Sequence, residues 1–149
     1  MGSKLKPERV PFRDRKPLMQ RRVMQMKITE LMTKDPSWLD PEASIEEAWK
    51  LMHAQGVRHV PICKHDKLVG LITQKDLLVN AQNTALLSWP VAEIMVMDVL
   101  TVDVDSGLRE PAKIMHDKKV SCLPVVDDGK LAGIVTETDY LGMLINFLE

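Results

Sequence analysis

Gly70-Leu71-Ile72-Thr73-Gln74-Lys75-Asp76 recurs in the same chain as Gly133-Ile134-Val135-Thr136-Glu137-Thr138-Asp139, at an offset of 63 residues. The same offset aligns Met32 with Met95, His53 with His116, Val57 with Val120, Pro61 with Pro124, and Lys67-Leu68 with Lys130-Leu131. Without a gap, residues 28–76 and 91–139 share 15 identities in 49 positions. Unrelated sequences of ordinary composition share roughly 3. A repeat of this length is a folding unit, and two copies predict a pseudo-symmetric pair. Units of about 50 residues are marginal alone, so a core shared between them is expected.

The repeat divides the chain into a front arm (1–27), a first unit (28–86) and a second unit (87–149). Net charge is −1, but residues 1–27 hold nine Lys or Arg against two acids, and the remainder eleven against nineteen. A basic arm carrying Pro7, Pro11 and Pro17 therefore precedes an acidic body. With no clear apolar period over residues 1–22, the arm is expected to stay loose unless a partner orders it. No apolar run approaches the roughly 18 residues of a membrane span, and the amino terminus lacks the apolar stretch of a secretory signal. Cys63 and Cys122 occupy non-equivalent repeat positions and form no CxxC pair, so they read as reduced thiols of a cytoplasmic protein.

Within each unit the pattern predicts helix-strand-helix-strand-strand-helix. A short helix covers Ile28–Met32, and Val91–Met95 in the second copy. A short strand follows near Ser37–Leu39 and Val99–Val102. Ser44-Ile45-Glu46-Glu47 has the form of a capping box, and Ile45, Ala48, Trp49, Leu51 and Met52 then trace a helical apolar face with Trp49 in the core. In the second copy Gly107 takes the Ser44 position and Pro111 predicts an irregular start; Leu108, Ala112, Ile114 and Met115 carry the face. Strands are expected at Arg58–Cys63 and Leu68–Thr73, and at Ser121–Val126 and Leu131–Thr136. The second pair is joined by Asp127-Asp128-Gly129-Lys130, a hairpin signal. The last helices carry Leu77, Leu78, Ala81 and Ala85 in one copy and Tyr140, Leu141, Leu144, Ile145 and Leu148 in the other.

Thr-x-x-Asp at a helix start is fully explained by capping, because the Thr accepts a backbone N–H and the Asp reaches back. Its context adds a second reading. The Thr ends an apolar strand, and a Gly three residues earlier (Gly70, Gly133) permits close approach to the backbone or marks a bulge. Helix-start N–H groups attract an anion, while a short carboxylate one turn in can accept from a vicinal diol. Together these groups suit a phosphate beside a ribose.

These segments, with Glu30-Leu31-Met32-Thr33, Val57-Arg58-His59-Val60-Pro61-Ile62 and Val120-Ser121-Cys122-Leu123-Pro124-Val125-Val126, resemble a tandem pair of CBS domains, a Bateman module, here stand-alone. The resemblance spans about residues 28–148. It implies an α+β fold of two pseudo-symmetric βαββα units packed through their sheets, with clefts for adenosine-containing ligands such as AMP, ADP, ATP, S-adenosylmethionine or NAD. It also implies frequent assembly into a disc-shaped homodimer. Carried over residue by residue, it assigns Thr73, Asp76, Leu100, Val120, Ser121, Cys122 and Pro124 to cleft one. Cleft two receives Thr136, Asp139, Ser37, Val57, Arg58, His59 and Pro61. Arg58 and His59 stand where cleft one has Ser121 and Cys122, so the clefts are expected to differ. A guanidinium suits phosphate, which favours the more phosphorylated ligand in cleft two; Glu137 counts against it.

The expected function is a regulatory module that senses an adenine nucleotide and signals to a separate effector protein, with no required cofactor. The alternative is a dimerisation scaffold in which the four Thr and Asp side chains are caps and nothing more. No nucleophile–base arrangement, metal cluster or P-loop is legible, which speaks against an enzyme. His53 and His116 lack a second ligand at metal spacing. Met52 and Met115 read as core filler. Trp38 lies near a predicted cleft but reads as packing. The arm's Arg9, Arg13, Arg15, Arg21 and Arg22 lack any accompanying recognition motif, which argues against a nucleic-acid partner.

Overall fold

The computed structural model of the chain describes residues 7–9, 11–80 and 82–148, with the side chains of 12–16 left aside. Five helices and six strands follow in the order α1 (Phe12–Gln25), β1 (Thr33–Lys34), α2 (Ile45–Gln55), β2 (His59–Lys64), β3 (Lys67–Thr73), α3 (Gln74–Asn80), β4 (Val102–Asp103), α4 (Arg109–Lys118), β5 (Cys122–Asp127), β6 (Lys130–Thr136) and α5 (Glu137–Phe147). Short 3-10 turns at Ile28–Glu30 and Val91–Glu93 open the two repeats, and a third covers Thr84–Ser88. Among the described residues no helix is long and apolar enough to cross a membrane.

Local chemistry accounts for most boundaries. Ser44 Oγ accepts from the Glu47 N–H at 3.1 Å while Glu47 accepts from the Ser44 N–H at 2.8 Å, which is the expected capping box on α2. Gly56 closes the helix in the left-handed conformation. α4 starts without a side-chain cap, with Pro111 buried in its first turn. It ends on Lys119, which adopts at φ 55° the conformation that Gly56 adopts in the first copy. Asp128 and Gly129 both have positive φ, as the tight β5–β6 hairpin requires.

The sheet runs β2-β3-β6-β5-β4, with β1 on β6. The halves join where Lys67 of β3 pairs with Lys130 of β6. Each half contributes an antiparallel β2–β3 or β5–β6 ladder of the same register: His59 opposite Thr73, and Cys122 opposite Thr136. Both ladders shift register at equivalent points, between Ile62 and Cys63 and between Val125 and Val126.

The leading turns exchange partners. Ile28 packs with Val102, Leu108, Leu123 and Val135 in the second core, and its N–H donates to the Ser106 carbonyl at 2.8 Å. Val91 packs with Ile45, Val60 and Ile72 in the first core, and its N–H donates to the Ala43 carbonyl at 2.7 Å. The residues after each turn then pair with the inner strand of the opposite half, Thr33 with Ile134 and Val96 with Leu71. Met32 and Met95 are thereby laid against Gly133 and Gly70. What approaches these glycines is the chain's own thioethers; a Cβ at either position would collide with them.

Several expectations are corrected. Residues 12–25 are helical despite Pro17, because Val23 and Met26 seat the end of α1 on the second core and Arg22 lies over the Phe147 ring at 5.9 Å. The expected strand at Ser37–Leu39 shrinks to one bridge, Leu39 to Ile62, and its counterpart is Val102–Asp103. α3 stops at Asn80, leaving Ala85 in a separate turn; Ala81 lies outside the described residues. Trp49 is 40% exposed, because the buried stripe of α2 is Ile45, Ala48 and Met52 and position 49 falls beside it. Met52 and Met115 are buried, as core filler should be.

Candidate functional site

β3 ends at Thr73 and β6 at Thr136, and in both cases the helix starts on the next residue. The Thr73 N–H and hydroxyl both donate to Asp76 Oδ2, at 3.0 and 2.8 Å, and the Asp76 N–H returns to Thr73 Oγ1 at 3.3 Å. In the second copy Thr136 donates twice to Asp139 Oδ2, at 2.8 and 3.2 Å, with the return bond at 3.4 Å. The capping reading is therefore realised in full. It occupies one oxygen of each carboxylate; Oδ1 carries no hydrogen bond among the described residues. All four side chains are half-buried and none is sealed off.

A single groove of about 1040 Å³ runs across the junction of the repeats. It brings together Thr73, Leu100, Val120, Ser121 and Cys122 from the first predicted set and Thr136, Asp139, Ser37, Val57, Arg58 and His59 from the second. Asp76 is not on its wall. Pro61 and Pro124 do not line the groove either: they share a strand face with His59 and Cys122 but lie two residues further along β2 and β5, where they are buried. The sequence reading missed Asp35, Asp98 and Lys119, which also line it. Asp35 and Asp98 stand at the same repeat offset, a signal available in the sequence; Lys119 replaces Gly56 and carried none.

The repeats meet at the middle of the groove, where His59 Nε2 lies 3.1 Å from Ser121 Oγ. Burial lowers the His59 pKa below 6.5, the Arg58 charge lowers it further, and the Glu137 carboxylate opposes both. Cys122, beneath Ser121, has its thiol pushed up to about 12 by burial and then by the Asp139 charge, so it stays protonated and unreactive. Cys63 is buried too, and its thiol rises to about 11 by burial and the Asp66 charge. Both cysteines are free thiols. Main-chain bonds brace the two ends alike: the Gln74 N–H donates to the Arg58 carbonyl at 2.8 Å and the Glu137 N–H to the Ser121 carbonyl at 3.0 Å.

Trp38 faces away from the groove's lining, into a shallow depression against α2 with Lys50, Leu51 and Ala54. No cluster of three or more potential metal ligands occurs among the described residues.

Two copies of one cap, facing one groove across swapped leading turns, agree with comparison to known proteins. The family model of the CBS domain matches residues 28–82 and again 91–146. The chain belongs to the CBS-domain family. As a CBS pair it is similar to the inosine-5'-monophosphate dehydrogenase of Thermoplasma acidophilum, 32% identical over 74% of this chain and 22% of that one. It is also similar to the homoserine O-acetyltransferase of Methanohalobium evestigatum, 33% identical over 80% of this chain and 24% of that one. The chain thus spans about a quarter of these curated relatives.

Solved structures match over nearly their whole length. A Vibrio cholerae protein designated an acetoin utilization protein, AcuB, is 37% identical with a TM-score of 0.76, covering 83% of this chain and 93% of that one. A CBS domain pair in complex with 5'-methylthioadenosine and S-adenosyl-L-methionine is 30% identical, TM-score 0.74, covering 81% and 97%. CBSX2 in complex with AMP is 25% identical, TM-score 0.73, covering 83% and 99%.

Proposed function

We propose that this CBS pair is a regulatory module that binds an adenosine-containing ligand, of the AMP, ADP, ATP, S-adenosylmethionine or NAD class, in the groove between its repeats, and signals to a separate effector protein. One observation carries the reading: the Thr136–Asp139 cap leaves a carboxylate oxygen unbonded on the wall of a groove that the two repeats share, and the matching cap brings Thr73 to the same groove. Ribose hydroxyls are donors for such oxygens, and charge-assisted bonds of this kind contribute about 1.5–3 kcal/mol each. Two similar CBS pairs solved with AMP and with adenosyl ligands support the same chemistry.

Binding across the junction couples occupancy to the relation of the two repeats, since His59 and Ser121 join them at the groove's centre. A ligand shifts that relation only by preferring one arrangement. The outer faces of α3 and α5 leave Leu78, Val79, Leu141 and Ile145 exposed, which supports a homodimer closing over them.

A thermal-shift panel with AMP, ADP, ATP, S-adenosylmethionine and NADH tests the reading. A ligand at 100 times its Kd adds about 2.7 kcal/mol, enough to raise Tm by several degrees. A panel without any shift at millimolar ligand favours the scaffold reading, to which the completed Thr–Asp caps also lend themselves.

A further inference from the structure

The groove is two-fold in shape but not in charge. At positions related by the repeat, Arg58 stands against Ser121, Gln74 against Glu137, and Lys75 against Thr138. Resting on the ligand site proposed above, we infer that its two ends take ligands of unlike charge. The end around Thr73, Arg58 and Lys75 takes a phosphate-bearing adenosine; the end around Thr136, Glu137 and Asp139 takes an adenosyl ligand whose 5' substituent is neutral or cationic.

The main-chain frame is the same at both ends, so the side chains decide. The Arg58 carbonyl holds the Gln74 N–H, which places the guanidinium-bearing residue beside the motif of its own repeat. Ser121 holds Glu137 in the same way, presenting a hydroxyl and a carboxylate where the other end has a guanidinium and an amide. A phosphate there faces the exposed Glu137 and the half-buried Asp139 carboxylates, and like charges so close repel. Because the leading turns are exchanged, Asp35, bonded through its N–H to the Ala132 carbonyl, joins Glu137 and Asp139 against Lys119, while Asp98, following the Val96 bridge to Leu71, alone stands against Arg58 and Lys75. His59, between the ends, is neutral at pH 7 and adds no cation to either. The family resemblance grouped Arg58 with Thr136, and its guanidinium favoured phosphate there. The main-chain bonding supports the opposite allocation.

Titration calorimetry of the full chain with ATP and with 5'-methylthioadenosine tests it. The variants are Lys75→Thr and Glu137→Gln, each borrowing the residue type of the other repeat at an exposed position outside the caps. Losing one charged contact to phosphate lowers affinity about ten- to hundredfold. Lys75→Thr is expected to weaken ATP by that factor and leave 5'-methylthioadenosine within about twofold. Glu137→Gln is expected to raise ATP stoichiometry from one per chain toward two. Equal weakening of both ligands by Lys75→Thr, or unchanged ATP binding in Glu137→Gln, overturns the allocation while leaving the site. Absence of binding by the unaltered chain overturns the site itself and the allocation with it.

Discussion

Gly70 and Gly133 hold equivalent positions, yet a side chain at each would meet unequal resistance. At Gly133 a Cβ would sit 2.8 Å from the Thr33 carbonyl oxygen as well as against Met32, and the β1–β6 pairing holds that carbonyl in place. At Gly70 the backbone neighbour is the Val96 carbonyl at 3.1 Å, and the closest atoms belong to the flexible Met95 side chain. Gly133→Ala should therefore destabilise by about 1–3 kcal/mol, as overpacking does, and Gly70→Ala by less. Urea unfolding of the two variants compares them directly; an equal or reversed order contradicts the packing account. His59 supplies a pH dependence. Its folded pKa is depressed, so as pH falls the unfolded chain takes the proton first. Its contribution to stability is complete above about pH 6.5 and is lost as pH drops through that value toward the lower folded pKa. The wild-type Tm should fall more steeply between pH 7 and pH 5 than that of His59→Gln; parallel curves would contradict it.

The elements carry a different lesson. Ile28 belongs by sequence to the first repeat and by packing to the second core. Truncating a buried isoleucine to alanine costs about 2–5 kcal/mol. Ile28→Ala should cost that much, and hydrogen exchange should show lost protection in β5 and β6 before β2 and β3. Loss confined to the first half would refute the exchange of leading turns. This exchange was not legible in the sequence. An internal offset shows that two segments are alike, but says nothing about whose core each one fills. The ladders, the Ser44 capping box and the Asp128-Gly129 hairpin were legible to within a residue, because alternation, caps and positive-φ turns are local. α1 was not, because its order comes from docking Val23 and Met26 rather than from a period of its own.

At the scale of the whole molecule, two half-sites became one groove. The sequence named the Thr–Asp pairs correctly as a repeated motif, but whether their surroundings are shared depends on how the inner strands meet at Lys67 and Lys130. It also placed Pro61 and Pro124 at the groove, but two residues along the strand from His59 and Cys122 both are already buried. Swapped turns and a joined sheet leave neither repeat a complete core of its own. The chain should unfold in a single transition, with fluorescence and circular dichroism midpoints coinciding in urea. Separated midpoints would show that the halves fold independently.

The central claim is that the caps also hold an adenosyl ligand. Asparagine in place of Asp76 or Asp139 keeps an oxygen for the cap and removes the charge that strengthens a bond from a ribose hydroxyl. Calorimetric titration of Asp76→Asn with ATP and of Asp139→Asn with 5'-methylthioadenosine is the most direct test. Each substitution should weaken binding at its own end of the groove by about 2–3 kcal/mol with little change in Tm. Unchanged affinity in both variants would leave the four side chains as helix caps alone.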